Sequence, residues 1–397
     1  MQASSSMADR LSLSGHVLPT EPFITPEMFS NLDASIVDEW TFCANQDRNT
    51  AAAALKSHWD SFITQDDFNQ IAAAGLNHVR LPIGFWAFDV SGGEPYIQGA
   101  KNYLYDAIGW ARSSGLKLII DLHGAPGSQN GYDNSGHRGA AEWATQQSNI
   151  DRTKAIIQSL AQEFSDPQYY GVVTALAVLN EPAGYLNSQL LDAARQFTID
   201  AYYTARYPWA PQGSASQSGL LIVYHDAFQP SSYWDGVFVY PKAADVALDT
   251  HIYEVFSQAA VERTWGEHLS SICSASGDLQ AAPNWPIVGE WTLAAYDCAQ
   301  WLNGRGVGAR YDGTYPGSTF VGECKWFTGD GSLFSSDYKN FLRTFWDTQT
   351  QTYENNGQGW IFWTWKAPNA VEWSYQDGLR LGWIPQNPTS HLSYTCS

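Results

Sequence analysis

Val173-Thr174-Ala175-Leu176-Ala177-Val178-Leu179-Asn180-Glu181-Pro182 is the stretch whose reading decides the fold. From Val173 to Leu179 the only polar side chain is Thr174, the pattern of a strand buried on both faces, and a glutamate stands directly beyond it. The arrangement recurs at Pro286-Ile287-Val288-Gly289-Glu290-Trp291. Each glutamate is expected where a buried strand ends and a loop begins. Two carboxyl groups held on opposite sides of one bond are the minimum machinery for cleaving a glycosidic linkage: one protonates the leaving oxygen while the other attacks or activates water.

Working outward, further short apolar runs read as buried strands at His78 to Ile83, Leu116 to Leu122, Leu220 to Tyr224, Val246 to Ile252 and Gly359 to Trp365. Helical segments lie between them. Thr64 can cap a helix whose apolar face includes Phe68, Ile71 and Ala72, ending near Gly75, and Asn102 to Ser114 carries Leu104, Ala107, Ile108 and Ala111 on one face before Gly115. Strand and helix alternate. With an eighth strand near Leu11 to Val17, the reading is a single α/β domain, a (β/α)8 TIM barrel with elaborated βα loops, rather than an open doubly wound sheet. Residues 1–20 form an N-terminal segment holding the first strand, and residues 21–397 the barrel. Pro208 to Gly219 and Gly304 to Gly331, rich in Gly, Pro, Ser or Tyr, read as surface excursions.

Composition narrows the function. A net charge of −19 disfavours nucleic acid and anionic lipid, and no stretch reaches the length of a membrane span. The 18 Trp and 21 Tyr, many near strand ends, favour flat, partly polar ligands such as sugar rings. Five widely spaced cysteines without a Cys-x-x-Cys pair or a His cluster argue against a metal site, and no cofactor is called for. They permit at most two internal disulfides, which together with the acidic composition fits an exported, secreted or wall-located protein whose leader is not in this chain. No permitted Asn-x-Ser/Thr sequon, Walker loop or Gly-x-Ser-x-Gly elbow is present.

If the strands form a barrel, the polar residues near their C-terminal ends converge on one mouth. Arg80 falls within the second strand, His123 after the third, Asn180 and Glu181 after the fourth, Asp226 after the fifth, His251 and Tyr253 after the sixth, Glu290 after the seventh and Trp363 within the eighth. Singly, each has a plainer reading: Arg80 as an ion-pair partner, His123 or His251 as a satisfied core histidine, Trp363 as packing. Jointly they describe a site.

Asn180-Glu181-Pro182 with Glu290 resembles glycoside hydrolase family five. Closer resemblance, to its fungal exo-β-1,3-glucanase branch, is carried by Phe23-Ile24-Thr25-Pro26, His78-Val79-Arg80-Leu81-Pro82-Ile83-Gly84, Asp121-Leu122-His123-Gly124-Ala125-Pro126-Gly127-Ser128-Gln129-Asn130-Gly131, His225-Asp226-Ala227-Phe228, Cys298-Ala299-Gln300-Trp301-Leu302-Asn303-Gly304 and Phe362-Trp363-Thr364-Trp365-Lys366. These segments span the chain from about Glu21 to its end, and the His-Gly-Ala-Pro-Gly-Ser-Gln-Asn-Gly run is the most specific.

The resemblance implies a retaining glucan exo-1,3-β-glucosidase, a monomer acting on β-glucan and also transferring glucose. It implies Glu181 as acid/base with a raised pKa, and Glu290 as nucleophile kept ionised by Arg80 and Tyr253. Asn180 would bond the sugar 2-hydroxyl, His123 and His251 complete the pocket, and Trp363 underlie the ring. Tyr132, Phe228 and Phe256 would clamp the next sugar, and Glu21 meet the terminal glucose. The disulfides it implies are Cys273 with Cys396 and Cys298 with Cys324, leaving Cys43 a buried thiol. Two features depart from the branch: Ser12 to Thr20 stands where a Gly-Gly-Trp segment is usual, and Tyr132 where relatives often have Phe. Rival readings are the same machinery acting on β-1,6-glucan, a glucolipid or a rutinoside, or a non-catalytic glucan-binding barrel.

Overall fold

The computed structural model of the protein describes residues 11–14, 20–209, 216–392 and 396, with the backbone alone for 11–14. Eight parallel strands close into a barrel in chain order: β1 (Leu11–Ser14), β2 (His78–Gly84), β3 (Lys117–Gly124), β4 (Val173–Ala177), β5 (Leu221–His225), β6 (Val246–Ile252), β7 (Trp285–Trp291) and β8 (Trp360–Phe362). β1 closes it, setting Ser12 opposite His78 of β2 and Leu11 opposite Trp360 of β8. The described part of the expected first strand is Leu11–Ser14, and residues 15–17 of the expected run lie outside the described residues.

Strand periodicity explains both the core and the site. Alternate side chains point to opposite faces, so Leu118 and Ile120 of β3 join the large cluster beneath the helices, while Ile119 joins a second cluster with Ala175, Ala177, Val223, Ala247, Ile287 and Ile361. That second cluster fills the lumen, where narrowness favours the three alanines. Continuing by twos along the inward face leads from Ile119 to Asp121 and His123, from Val223 to His225, and from Ala247 to Asp249 and His251. The lumen therefore turns from apolar to charged toward its C-terminal mouth.

β7 breaks this rule at the place that matters. Its register against β6 slips, so that Thr250 faces Val288 but His251 faces Glu290, leaving Gly289 as an extra residue. A Cβ on Gly289 would stand 1.9 Å from Asp249 Oδ1, so only glycine fits there. The slip re-aims the next side chain, Glu290, into the lumen, a common use of bulges beside active sites.

The expected helices form. Thr64 starts the helix Gln65–Ala73, where the Asp67 carboxylate accepts from Thr64 N and Oγ1 at 2.8 and 3.0 Å. Asp67 also accepts from Trp365 Nε1 at 2.9 Å and pairs with Lys366 at 2.6 Å, so one cap anchors the chain leaving β8. Ala100–Ser114 ends at Gly115, whose φ of 75° is cheap for glycine alone.

The structure joins Cys273 to Cys396, across 123 residues of sequence, and Cys298 to Cys324, across 26. Cys43 is a buried free thiol whose pKa burial pushes up to about 12. Native protein should therefore leave Cys43 unreactive to alkylating reagents, and reduction of the bridges should lower stability by about 2 to 5 kcal/mol for the larger loop. Thermal denaturation with and without reductant, paired with non-reducing peptide mapping, measures this. An unchanged melting temperature after confirmed reduction counts against a stabilising role.

Candidate active site

The inward faces bring Arg80, Asp121, His123, Asp249, His251 and Glu290 together, and the loop after β4 adds Asn180 and Glu181. His123, His251 and Glu290 lie inside β3, β6 and β7 rather than beyond them, whereas Trp363 lies just past β8, which ends at Phe362. The apolar runs are legible as strands, but pairing continues through the polar residues because the neighbouring strands supply backbone partners as far as the mouth.

Arg80, fully buried, is the hub. Its Nη1 donates to Glu290 Oε1 at 2.7 Å, and its Nη2 donates to Asn180 Oδ1 at 2.7 Å and lies 3.0 Å from Asp121 Oδ2. The guanidinium stands 5.8 Å from the centre of the Trp363 ring, which stacks parallel to the His123 imidazole at 5.5 Å. His123 Nδ1 is 2.8 Å from Asp121 Oδ2 and its Nε2 3.7 Å from Glu21 Oε1. Burial disfavours charge on His123, but the Asp121 and Glu21 carboxylates prevail and carry its pKa to about 9. Burial raises Glu21 above the usual carboxylate range, partly offset by His123.

Glu290 accepts from Arg80 and from the Tyr253 hydroxyl, the latter at 2.8 Å, and its Oε2 lies 3.5 Å from His251 Nδ1. Burial raises its pKa against the pull of His251 and Arg80. Every neighbour is a donor, so the carboxylate form is the one they fit. Glu181 accepts from His251 Nδ1 at 2.6 Å and from Asn134 Nδ2 at 2.9 Å.

The sequence reading expects a raised pKa for Glu181, and the structure gives the opposite. Burial pushes it up, but the hydrogen bond and charge of His251 outweigh that and hold Glu181 below the usual range. His251 in turn sits well above its own usual value, because burial loses to Glu290, Asp249 and Glu181. The shared proton rests on His251, one short hydrogen bond from Glu181.

The backbone around Glu181 is constrained. Its φ of 43° lies in the left-handed region, which costs a non-glycine residue about 1 kcal/mol or more. Gln129, fully buried, holds the turn by donating to the carbonyls of His123 at 2.8 Å and Asn180 at 2.9 Å, while its Oε1 accepts from Ala125 N at 3.0 Å. The Gln129-Asn130-Gly131 run thus ties the loop after β3 to the loop after β4. A similar turn follows β5: Ala227 and Phe228 have φ of 55° and 58°, and Asp226 accepts from Phe228 N at 2.7 Å and from Thr250 Oγ1 at 2.6 Å. Burial lifts Asp226 to about 7.

Among the described residues, Glu181, His225 and His251 each bring a ligand atom within 4.8 Å of the others. Their hydrogen bonds suit a proton network better than a cation. Ala227 N donates to His225 Nδ1 at 3.0 Å, which leaves the ring proton on Nε2. His225 is held neutral, far below its usual pKa, by burial and by the charges of His251 and Arg80.

The aromatic residues expected at the entrance are exposed, as such a role requires: Tyr132, Phe228 and Phe256. Tyr253 links Phe256 to the site, the two rings crossing edge to face at 5.4 Å. Sequence reasoning missed Asp121 and Asp249, although each stands two residues before a histidine it does identify. It also missed Asn134, Tyr185 and the structural role of Gln129, which sit in loops without periodicity.

Comparison with known proteins identifies the family of the chain. Residues 43–205 match the family described as Cellulase (glycosyl hydrolase family 5). The chain is 42% identical over 373 residues to the glucan 1,3-beta-glucosidase of Blumeria graminis, covering 92% of this chain and 84% of that protein. It is 38% identical over 389 residues to the glucan 1,3-beta-glucosidase of Kluyveromyces lactis, covering 95% and 88%. The crystal structure of rutinosidase from Aspergillus niger superposes with a TM-score of 0.73 over 94% of this chain and 97% of that one, at 16% identity, a likeness of fold. Two carboxylates wired to one imidazole at the mouth of an eight-stranded barrel, in a chain that aligns almost end to end with such relatives, mark it as a member of glycosyl hydrolase family 5.

Proposed function

We propose that the protein is a retaining exo-acting β-glucosidase that releases glucose from the non-reducing ends of β-1,3-glucan and also transfers glucosyl units to acceptor sugars. One observation carries the mechanism. A single nitrogen, His251 Nδ1, stands 2.6 Å from Glu181 Oε1 and 3.5 Å from Glu290 Oε2. Those two carboxylate oxygens are therefore closer than the roughly 6.5 Å at which inverting enzymes begin to seat a water between their carboxyl groups. The spacing supports direct attack by Glu290 on the anomeric carbon.

In this reading Glu290 attacks while Glu181 protonates the departing oxygen. A sugar seated over Glu181 excludes water and strengthens the desolvation that already pushes its pKa up, so the proton waiting on His251 passes to Glu181 and on to the leaving group. Glu181 then deprotonates the incoming water or sugar. Asn180, oriented by Arg80, would meet the 2-hydroxyl. Trp363 would underlie the ring, with His123 and Glu21 around the terminal glucose.

Exo action is supported by loops that meet across the mouth. Arg138 Nη1, from the loop after β3, donates to the Arg305 carbonyl at 3.2 Å in the Gly304–Gly331 excursion. Arg305 is pinned in turn, donating to the carbonyls of Phe29, Leu32, Asp33 and Ile36. The two disulfides fit an oxidising, extracellular setting, and no described helix is long and apolar enough to cross a membrane.

Nuclear magnetic resonance of the first product from laminarin tests the reading, with gentiobiose-type glucan and rutin in parallel. The expected first product is β-glucose, with mutarotation following. Initial α-glucose sinks the double displacement, and early laminaribiose from internal cuts sinks the closed pocket.

A further inference from the structure

Tyr185 lies four residues after Glu181, in the loop that follows β4. Its ring is 50% exposed, and it touches both neighbouring loops. The Tyr185 and Tyr132 hydroxyls are hydrogen-bonded to each other, joining the loop after β4 to the loop after β3. The Tyr185 ring meets the Phe228 ring, after β5, edge to face at 5.4 Å. Three aromatic residues from three successive βα loops thus form one continuous wall. Its place beside the chemistry follows from geometry: Asn134, two residues after Tyr132 in the same loop, donates to Glu181 Oε2 at 2.9 Å.

A wall of bare rings offers the next sugar only stacking, and leaves Tyr132, exposed at 47%, free to rotate away. The phenol pair changes both properties. Each hydroxyl fixes the other ring, so the wall is set before the sugar arrives and less side-chain freedom is lost on binding. One donor proton is shared between two oxygens, so the pair still has an unused O–H and lone pairs facing solvent at the rim. Equatorial sugar hydroxyls can use these, whereas a flat aromatic leaving group cannot.

We infer that Tyr185 is a positioning residue for the leaving-side subsite: by holding Tyr132 and abutting Phe228 it builds a polar-edged wall that selects a glucosyl unit over an aromatic leaving group, and keeps that unit aligned above Glu181. The inference rests on the β-glucan reading above and adds the residue that sets its leaving-group preference.

Tyr185→Phe, Tyr132→Phe and the double variant test it. All three keep the rings, and their melting temperatures should match the wild type closely. For each, kcat/KM is measured on laminaribiose and on 4-nitrophenyl β-glucoside, whose leaving group is flat and needs little help. The expected result is a fall of about three- to tenfold in the ratio of laminaribiose to aryl glucoside for each single variant. The double variant should be no worse than the single ones, because either change removes the same bond. The ratio of transfer product to free glucose from laminaritriose should fall alongside. An unchanged ratio, or two single effects that simply multiply in the double variant, overturns the wall while leaving the hydrolase reading intact. Wild-type protein that cleaves the aryl glucoside but no β-1,3-linked sugar overturns both.

Discussion

Glu290→Ser is expected to lower turnover of every β-glucoside by about 10⁴-fold or more, because it removes the atom that forms the covalent intermediate. Glu181→Ala should behave differently. In kcat/KM its loss on laminarin is expected to be about 10²- to 10⁴-fold, the usual worth of a positioned proton donor, yet small on 2,4-dinitrophenyl β-glucoside, whose leaving group departs unprotonated, although kcat falls there too. On that substrate the glucosyl intermediate should accumulate, since no base remains to activate water. Azide, which needs no base, should then restore turnover and yield β-glucosyl azide. The structure sharpens this expectation, because Asn134 and His251 bond Glu181 while Arg80 and Tyr253 bond Glu290, so neither glutamate can take over the other's surroundings. Identical behaviour of the two variants on the activated substrate overturns the assignment, as does α-glucosyl azide.

The two glutamates are legible in the sequence because each sits at the end of an apolar run, and a buried strand that ends in a carboxylate has few purely structural explanations. The alternation that places Ile119, Asp121 and His123 on one face, and Ala247, Asp249 and His251 on another, is equally legible. It should have identified both aspartates. The slip at Gly289 is not readable, because Val288-Gly289-Glu290 looks the same whether the glutamate follows the strand or is turned inward within it. What distinguishes the cases is Asp249 filling the space where a side chain at 289 would lie, a contact made 40 residues away in sequence.

The direction of the Glu181 shift was out of reach for the same reason. Burial alone would raise it, as expected from its place behind a hydrophobic strand. The outcome depends on a histidine 70 residues further on that arrives at 2.6 Å only once the barrel closes. Tyr185 and Asn134 belong to loops, where no period constrains the side chain. Their roles follow from which loops meet, and that is set by the order of strands around the barrel.

The second large effect concerns Arg80. Its guanidinium joins Asp121, Asn180 and Glu290, and all of it is buried. Arg80→Met keeps the length and apolar stem but leaves the buried Asp121 and Glu290 carboxylates with no guanidinium, answered by His123 on one side and by Tyr253 and His251 on the other. Breaking a buried ion pair from one side costs about 3 to 5 kcal/mol, which is the destabilisation expected at pH 7. The sign with pH follows from Asp121. In the wild type, burial raises its pKa but Arg80 and then His123 bring it below the usual value, so it adds stability above its unfolded pKa that is lost as pH falls through the lower folded one. Without Arg80, burial prevails and the folded pKa rises. The carboxyl then costs stability above its unfolded pKa, and costs nothing once protonated. The gap between variant and wild type should therefore be widest near neutrality, narrow toward about pH 4 as the variant's carboxyl protonates, and close only at lower pH, where the wild-type Asp121 gives up its own charge. Activity should shift in parallel, since Glu290 also loses a charge that favours its ionised form and the acid limb of kcat/KM should move to higher pH. Arg80→Lys should fall between the two, as an ammonium keeps the charge but cannot span three partners in one plane. Urea unfolding of the three proteins from pH 4 to 8 measures this directly: a deficit that is absent at pH 7, or that grows toward acid, means the network is not held together by the charge of Arg80.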